Sequence, residues 1–125
     1  MSSIPTPISF QLYDEEPVLL PDGRKALVLM LSGRLDGQAQ EECDREFTRR
    51  VAEGGVCFIL DGRGLVFVSS AGVRCFIKLI KQTHPAGGGV VLCRPQETVR
   101  QLLEVAGLGD LLPMADDLSG AIGRF

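Results

Sequence analysis

Tryptophan is absent from this sequence, and tyrosine and histidine occur once each. So few aromatic planes exclude a base-stacking platform for nucleic acid. Basic charge is not in excess either. The formal charge of −3 and pI near 5.1 argue against nucleic-acid binding, which draws on a basic patch or stripe. No long hydrophobic run occurs: Ala26 to Leu31 is only strand-sized, far short of the ~18 apolar residues of a membrane span. The start, Met1-Ser2-Ser3-Ile4-Pro5, lacks the basic beginning and apolar core of a signal peptide. A cytoplasmic protein without direct membrane insertion is therefore expected. The four cysteines, Cys43, Cys57, Cys75 and Cys93, include no C-x-x-C pair, which suggests neither a zinc site nor a redox motif. In apolar strand runs (Cys57, Cys93) and an amphipathic helix (Cys75) they read as small buried hydrophobes.

What is present suits a soluble α/β protein. Hydrophobic residues make up 45% and charged residues 23% of 125, enough for one domain, 1–125, with a core from about 8 to 122 and no staples. Ile8, Phe10 and Leu12 alternate with polar residues, the period of a half-exposed strand. Asp14 to Lys25 reads as a connection around the turn Pro21-Asp22-Gly23. Ala26 to Leu31 reads as a buried strand antiparallel to the first, and Ser32 to Gly37 as a loop. A helix follows from Gln38 to Glu53, with Ala39, Cys43, Phe47 and Val51 on one stripe, and Gly54-Gly55 stops it. Its acids come early (Glu41, Glu42) and its bases late (Arg49, Arg50), as the helix dipole favours.

Val56 to Leu60 is the most uniformly apolar strand, followed by Asp61 and a Gly62-Arg63-Gly64 loop. Beyond Val66-Phe67-Val68-Ser69-Ser70-Ala71-Gly72, the residues Val73, Phe76, Ile77 and Ile80 mark a helical face that ends near His84-Pro85-Ala86. Val90 to Cys93 forms another buried strand. Arg94-Pro95 opens a helix with the stripe Val99, Leu102, Leu103 and Ala106, closed by Gly107. Residues 108–114 return toward the sheet, and Asp117 to Ile122 form a last short helix. The order β-β-α-β-α-β-α predicts a small mixed sheet, parallel in its later part, with helices mainly on one face.

Two hydroxyls and a glycine thus fall where a loop becomes a helix. Serine is a favoured N-cap, and a helix N-terminus tolerates phosphate. Ser69 and Ser70 are therefore either caps or a phosphorylation switch on a binding surface. A hydrolase built on Ser70 would need G-x-S-x-G, but Val68 stands two residues before it. Its only possible base, His84, lies at the far helix end, roughly 20 Å away. Asp61 invites comparison with a receiver-domain phosphoacceptor, but no lysine follows Lys81, and a strand-end residue bonding loop amides is the simpler role. Gly62-x-Gly64 and Gly87-Gly88-Gly89 match no phosphate-loop fingerprint and read as turns. Asp116-Asp117 lacks companions for a metal. No catalytic residue, metal or cofactor is expected.

Taken together, Gly33-Arg34-Leu35-Asp36, Phe67-Val68-Ser69-Ser70-Ala71-Gly72-Val73, Gly87-Gly88-Gly89-Val90-Val91-Leu92 and Ala106-Gly107-Leu108 with Leu111-Leu112-Pro113 resemble the STAS domains. Within these they resemble the bacterial anti-sigma factor antagonists. The resemblance implies a small mixed sheet with helices on one face. It also implies a partner, an anti-sigma serine kinase of the ATP-binding, histidine-kinase-like type, together with a phosphatase. Ser70 aligns with the family's phosphorylated serine, and Ser69 replaces the family's Asp, which leaves Ser69 as the alternative site. Asp36, Ser69, Ser70 and Gly72 would centre the binding surface, with Arg74 at its rim. The rival implication is a constitutive STAS subunit of a larger complex, such as one for lipid transport, without phosphorylation.

Overall fold

A computed structural model describes residues 9–125; Ile8, the expected start of the first strand and of the core, lies outside the described residues. Five strands form one sheet in sequence order, β1 (Gln11–Leu19), β2 (Lys25–Leu35), β3 (Cys57–Val68), β4 (Gly89–Cys93) and β5 (Met114–Ala115). β1 is antiparallel to β2, and every later pair is parallel. Between them lie α1 (Gln40–Ala52), α2 (Ser70–Thr83), α3 (Glu97–Val105) and α4 (Leu118–Ile122). The expected mixed sheet is observed, and among the described residues no helix is long and apolar enough to cross a membrane.

The apolar stripes explain the layering. Cys43 and Phe47 of α1, Val73, Phe76 and Leu79 of α2, and Val99 and Leu103 of α3 share one buried cluster with Leu29, Leu31, Phe58, Leu60 and Leu92 of the sheet. The opposite sheet face carries a smaller cluster, Val28, Ile59, Val91 and Cys93, roofed by Ala121 with Leu118 and Ile122 of α4. Three helices cover one face and one short helix part of the other.

Several local expectations are corrected. β1 continues through Asp14–Leu19, read from sequence as a connection, because Glu15 pairs with Val28 and Leu19 with Lys25. A register shift between Glu15 and Val18 absorbs Glu16 and Pro17; proline, lacking an N–H, is tolerated on such an edge. The true turn is Leu20 to Arg24, closed by Leu20 N donating to the Arg24 carbonyl at 2.7 Å. Ser32 to Leu35 and Gly62 to Gly64 are not loops but strand, and the strands pair in parallel as far as Leu35 against Val68. Gly33 sits at φ 85°, open to glycine without strain, where the β2–β3 register shifts. Asp61 is therefore buried in mid-strand, although its carboxylate does accept from a nearby amide, Arg63 N, at 3.1 Å.

α1 begins at Gln40, two residues later than expected, after a turn held by Asp36. α3 starts at Glu97 rather than at Pro95, since Gln96, at φ −64° and ψ 149°, is still extended and stands as the N-cap. Residues 108–113 lead into a fifth strand that the periodicity did not mark. Leu92 N donates to the Pro113 carbonyl and Arg94 N to that of Ala115, each at 2.9 Å.

Arg50 stands in the last turn of α1, as expected, and it is also buried. Its Nε and Nη2 donate to the two Asp14 oxygens, and Nη1 to the Glu46 carboxylate, all at 2.9 Å. This fork ties the outer strand to α1. Hydrogen bonds from Arg50 hold both the Asp14 and the Glu46 carboxyls below their ordinary range. Depressed carboxylates contribute stability above their unfolded pKa of about 4, and that contribution is lost as pH falls through the lowered folded values. Asp14 keeps 66% of its side chain exposed, so water screens much of the pair. Arg50→Met is expected to cost about 1–2 kcal/mol at neutral pH, read by urea unfolding, with the difference shrinking as the pH falls below about 4.

Candidate functional site

The parallel pairing of β2 with β3 ends at Leu35 and Val68, which places Asp36 beside Ser69 and Ser70. The two segments are stitched by a backbone bond, Ser69 N donating to the Leu35 carbonyl at 2.9 Å. Ser69 has extended backbone and caps α2, its hydroxyl accepting from Gly72 N at 3.3 Å. Ser70 is the first residue of α2 and is exposed, and its hydroxyl takes no part in the cap.

Gly72 is buried against the end of β2. A Cβ there would lie 2.7 Å from the Leu35 carbonyl oxygen, 2.8 Å from Leu35 Cγ and 2.9 Å from Val68 Cγ1. The residue is glycine because the helix approaches the strand too closely for any side chain. Its role is thus to seat the serines rather than to offer a surface contact, which corrects its expected place on the binding face.

Asp36 spends part of its carboxylate locally. Oδ1 accepts from the amides of Gln38 and Ala39, each at 3.1 Å, and so supports the turn into α1. Arg74 is exposed one turn after Ser70 and has no ion pair among the described residues. The structure brings Asp36, Ser69 and Ser70 together at one end of the sheet, with Arg74 on the outer side of α2. His84 stands at the other end of α2, remote from Ser70.

Sequence reasoning missed the surroundings of the serines. Arg34 lies over the Phe67 ring at 4.2 Å from its centroid, a cation–π contact that leaves its charge in solvent. Phe67, Ser69, Ser70 and Val73 line one side of a shallow apolar depression of about 510 Å3, and Leu102, Val105 and Ala106 of the α3 end line the other. Val105 is 89% exposed, and Ala106, expected in the buried stripe, is exposed as well. The signal was present: the apolar positions of 99–106 are more numerous than one buried stripe requires.

The seat of the serines is open to test by substitution. Gly72→Ala is expected to destabilise the fold by about 1–3 kcal/mol through overpacking. Ser69→Ala is expected to cost about 1 kcal/mol through loss of the cap. Ser70→Ala should leave stability within about 0.5 kcal/mol. Thermal or urea unfolding of the three variants distinguishes these outcomes.

Comparison with known proteins agrees with this geometry. The STAS domain model matches residues 19–121. BtrV of Bordetella bronchiseptica, which carries the name of an anti-sigma factor antagonist, is 29% identical over 99 residues, spanning 79% of this chain and 85% of BtrV. The anti-sigma factor antagonist SpoIIAA in its unphosphorylated form superposes with a TM-score of 0.73 at 26% identity, over 93% of this chain and 95% of SpoIIAA. SpoIIAA of Bacillus in its phosphorylated form gives a TM-score of 0.64 at 26% identity, over 93% and 98% of the two chains. With its sheet, its helical layer and its strand-to-helix serines accounted for, this chain belongs to the STAS domain family, among relatives named anti-sigma factor antagonists.

Proposed function

We propose that this protein is a partner-switching regulator that binds an anti-sigma serine kinase when Ser70 is unmodified and is released when that kinase phosphorylates Ser70. The observation that carries the reading is the division of labour between the two serines. Ser69 uses its hydroxyl to cap α2, whereas Ser70 is exposed at the first helical position. A kinase needs a free hydroxyl, and that favours Ser70. SpoIIAA, which exists in a phosphorylated and an unphosphorylated form, supports the same kind of switch here.

The physics of release is local. Phosphate adds about −1.5 to −2 charges, and the start of α2 tolerates that charge through its dipole. The fold therefore survives. A docked partner, however, meets a strongly hydrated anion where it had covered a neutral hydroxyl beside the apolar floor of Phe67, Leu102 and Val105. Desolvating that anion is costly, and any carboxylate of the partner or Asp36 itself adds repulsion. A loss of about 3 kcal/mol, roughly a hundredfold in affinity, is enough for a switch. In this reading Asp36, Ser69, Ser70 and Arg74 face the kinase and a phosphatase restores the bound state. The chain acts as one domain in the cytoplasm, where ATP and sigma factors are found, and performs no catalysis of its own.

Affinity capture from the native lysate tests the reading with wild type, Ser69→Ala, Ser70→Ala and Ser70→Asp as baits. An ATP-binding kinase should be retained by wild type and Ser70→Ala and lost with Ser70→Asp. Incubating that kinase with ATP and wild type should place phosphate on Ser70 by peptide mass spectrometry. Equal retention of one membrane or structural partner by every bait would instead favour the constitutive-subunit reading. Phosphate found on Ser69 would move the switch by one residue.

A further inference from the structure

The outer ridge of α2 carries charge of one sign. Only four of its 14 residues are exposed: Ser70, Arg74, Lys78 and Lys81. At roughly 100° per residue they fall within an arc of about 80°, so the ridge runs from one hydroxyl through three cations. No acid stands in the first turn of α2. Lys78 is already engaged, its Nζ meeting the Asp44 carboxylate of α1 at 3.0 Å. Arg74, one turn from Ser70, has no ion pair among the described residues. In a protein of net charge −3, an uncompensated cation thus stands beside an exposed hydroxyl.

We infer that Arg74 is the receptor for a phosphate on Ser70, the two closing into a bidentate clasp along the ridge of α2. The inference rests on the reading of Ser70 as the modified serine. Residues four apart on a helix have Cβ atoms about 5–6 Å apart, and an anion N-terminal to a cation is the favoured order. Helical side chains lean toward the N-terminus, so Arg74 reaches back over the turn that Ser70 begins. Its guanidinium presents a planar fork of donors that matches two phosphate oxygens. Ser69 has no such mate. The residue four on from it is the buried Val73, and its own hydroxyl is spent on Gly72 N at 3.3 Å. Two other charged groups stand at this end, and neither shares the ridge. Arg34 belongs to β2 and is held over the Phe67 ring at 4.2 Å from its centroid. Asp36 lends Oδ1 to the Gln38 and Ala39 amides, each at 3.1 Å.

The clasp gives phosphorylation a second effect besides the new anion. In the unmodified chain Arg74 is open to a carboxylate of the docked kinase. Once Ser70 carries phosphate, the same guanidinium is taken by an anion of its own helix. A partner carboxylate then loses its cation and faces a group more highly charged than itself. Release follows from exchanging one anion for another at Arg74, with no rearrangement of the sheet.

Phosphoserine is incorporated at position 70 of the full chain during translation, so the measurement needs no kinase. Its failure is therefore separate from a failure of the affinity capture. The phosphate is titrated by phosphorus NMR in wild type, Arg74→Gln, Arg74→Lys and Arg34→Gln. Its second ionisation, ordinarily near about pH 6, is favoured by a paired cation. The midpoint should lie about 0.3–0.5 pH unit lower in wild type than in Arg74→Gln. Arg74→Lys should keep most of that difference, and Arg34→Gln should leave the midpoint at the wild-type value. An equal midpoint in wild type and Arg74→Gln, or a rise in Arg34→Gln as large as that in Arg74→Gln, would overturn the inference. With phosphoserine at position 69 instead, Arg74→Gln should move the midpoint by less than about a third as much. A full shift there would sink the four-residue register. Arg74 is exposed, so its variants keep the fold.

Discussion

The structure around the serines depends on one close approach, the start of α2 pressed against the end of β2. A helix cannot come so near a strand carbonyl unless the facing residue has no side chain, and Gly72 meets that condition. The bond from Ser69 N to the Leu35 carbonyl closes the same contact from the other side. Ser69 is thereby fixed as a cap, and Ser70, one residue on, is turned outward at the helix start. The register of β2 and β3 matters for the same reason. Both strands tolerate shifts in register before reaching Leu35 and Val68, so the sheet adjusts its length while its terminal pair stays aligned.

Charge is distributed unevenly about this point. The chain as a whole is acidic, yet Arg34, over Phe67, and Arg74, one turn after Ser70 on α2, have no carboxylate partner among the described residues. Arg34 is held over Phe67 by an interaction that fixes its position without neutralising it. Asp36, the one acid beside the serines, is partly committed to the amides of Gln38 and Ala39. The surface therefore combines an apolar floor, a cation fixed over Phe67 and an exposed hydroxyl. On such a surface a single added anion changes the electrostatics more than it would on a uniformly charged face.

Much of this was legible in the sequence, and the failures have physical causes. The 3.6-residue stripes of the three longer helices and the apolar runs of the central strands have strong periods, and each of these elements is present, with α1 and α3 starting two residues later than the pattern put them and Ala106 outside the buried stripe. Asp14 to Leu19 was missed because an outer strand with both faces largely open to water carries no apolar alternation. The two-residue β5 is shorter than any period. The pairing of Arg50 was not legible because nothing local announces that Asp14, on a strand far away in sequence, will face it. The serine motif and the Gly33 to Asp36 segment were both recognisable. That they meet, and that Phe67 and Val105 share a depression with Ser70, follows only from the parallel pairing of the strands.

The outer strand has a consequence of its own. β1 is a sheet edge with no outer neighbour among the described residues, yet it carries Asp14, Glu15, Glu16 and Pro17 in succession and bulges where they lie. A second chain adding there would bring like charges together and meet a proline with no N–H to give. The charges and the proline of this strand thus oppose edge-to-edge addition of a second copy along β1. The same feature leaves the far end of the sheet, rather than its flank, as the place where contact with another molecule is least opposed.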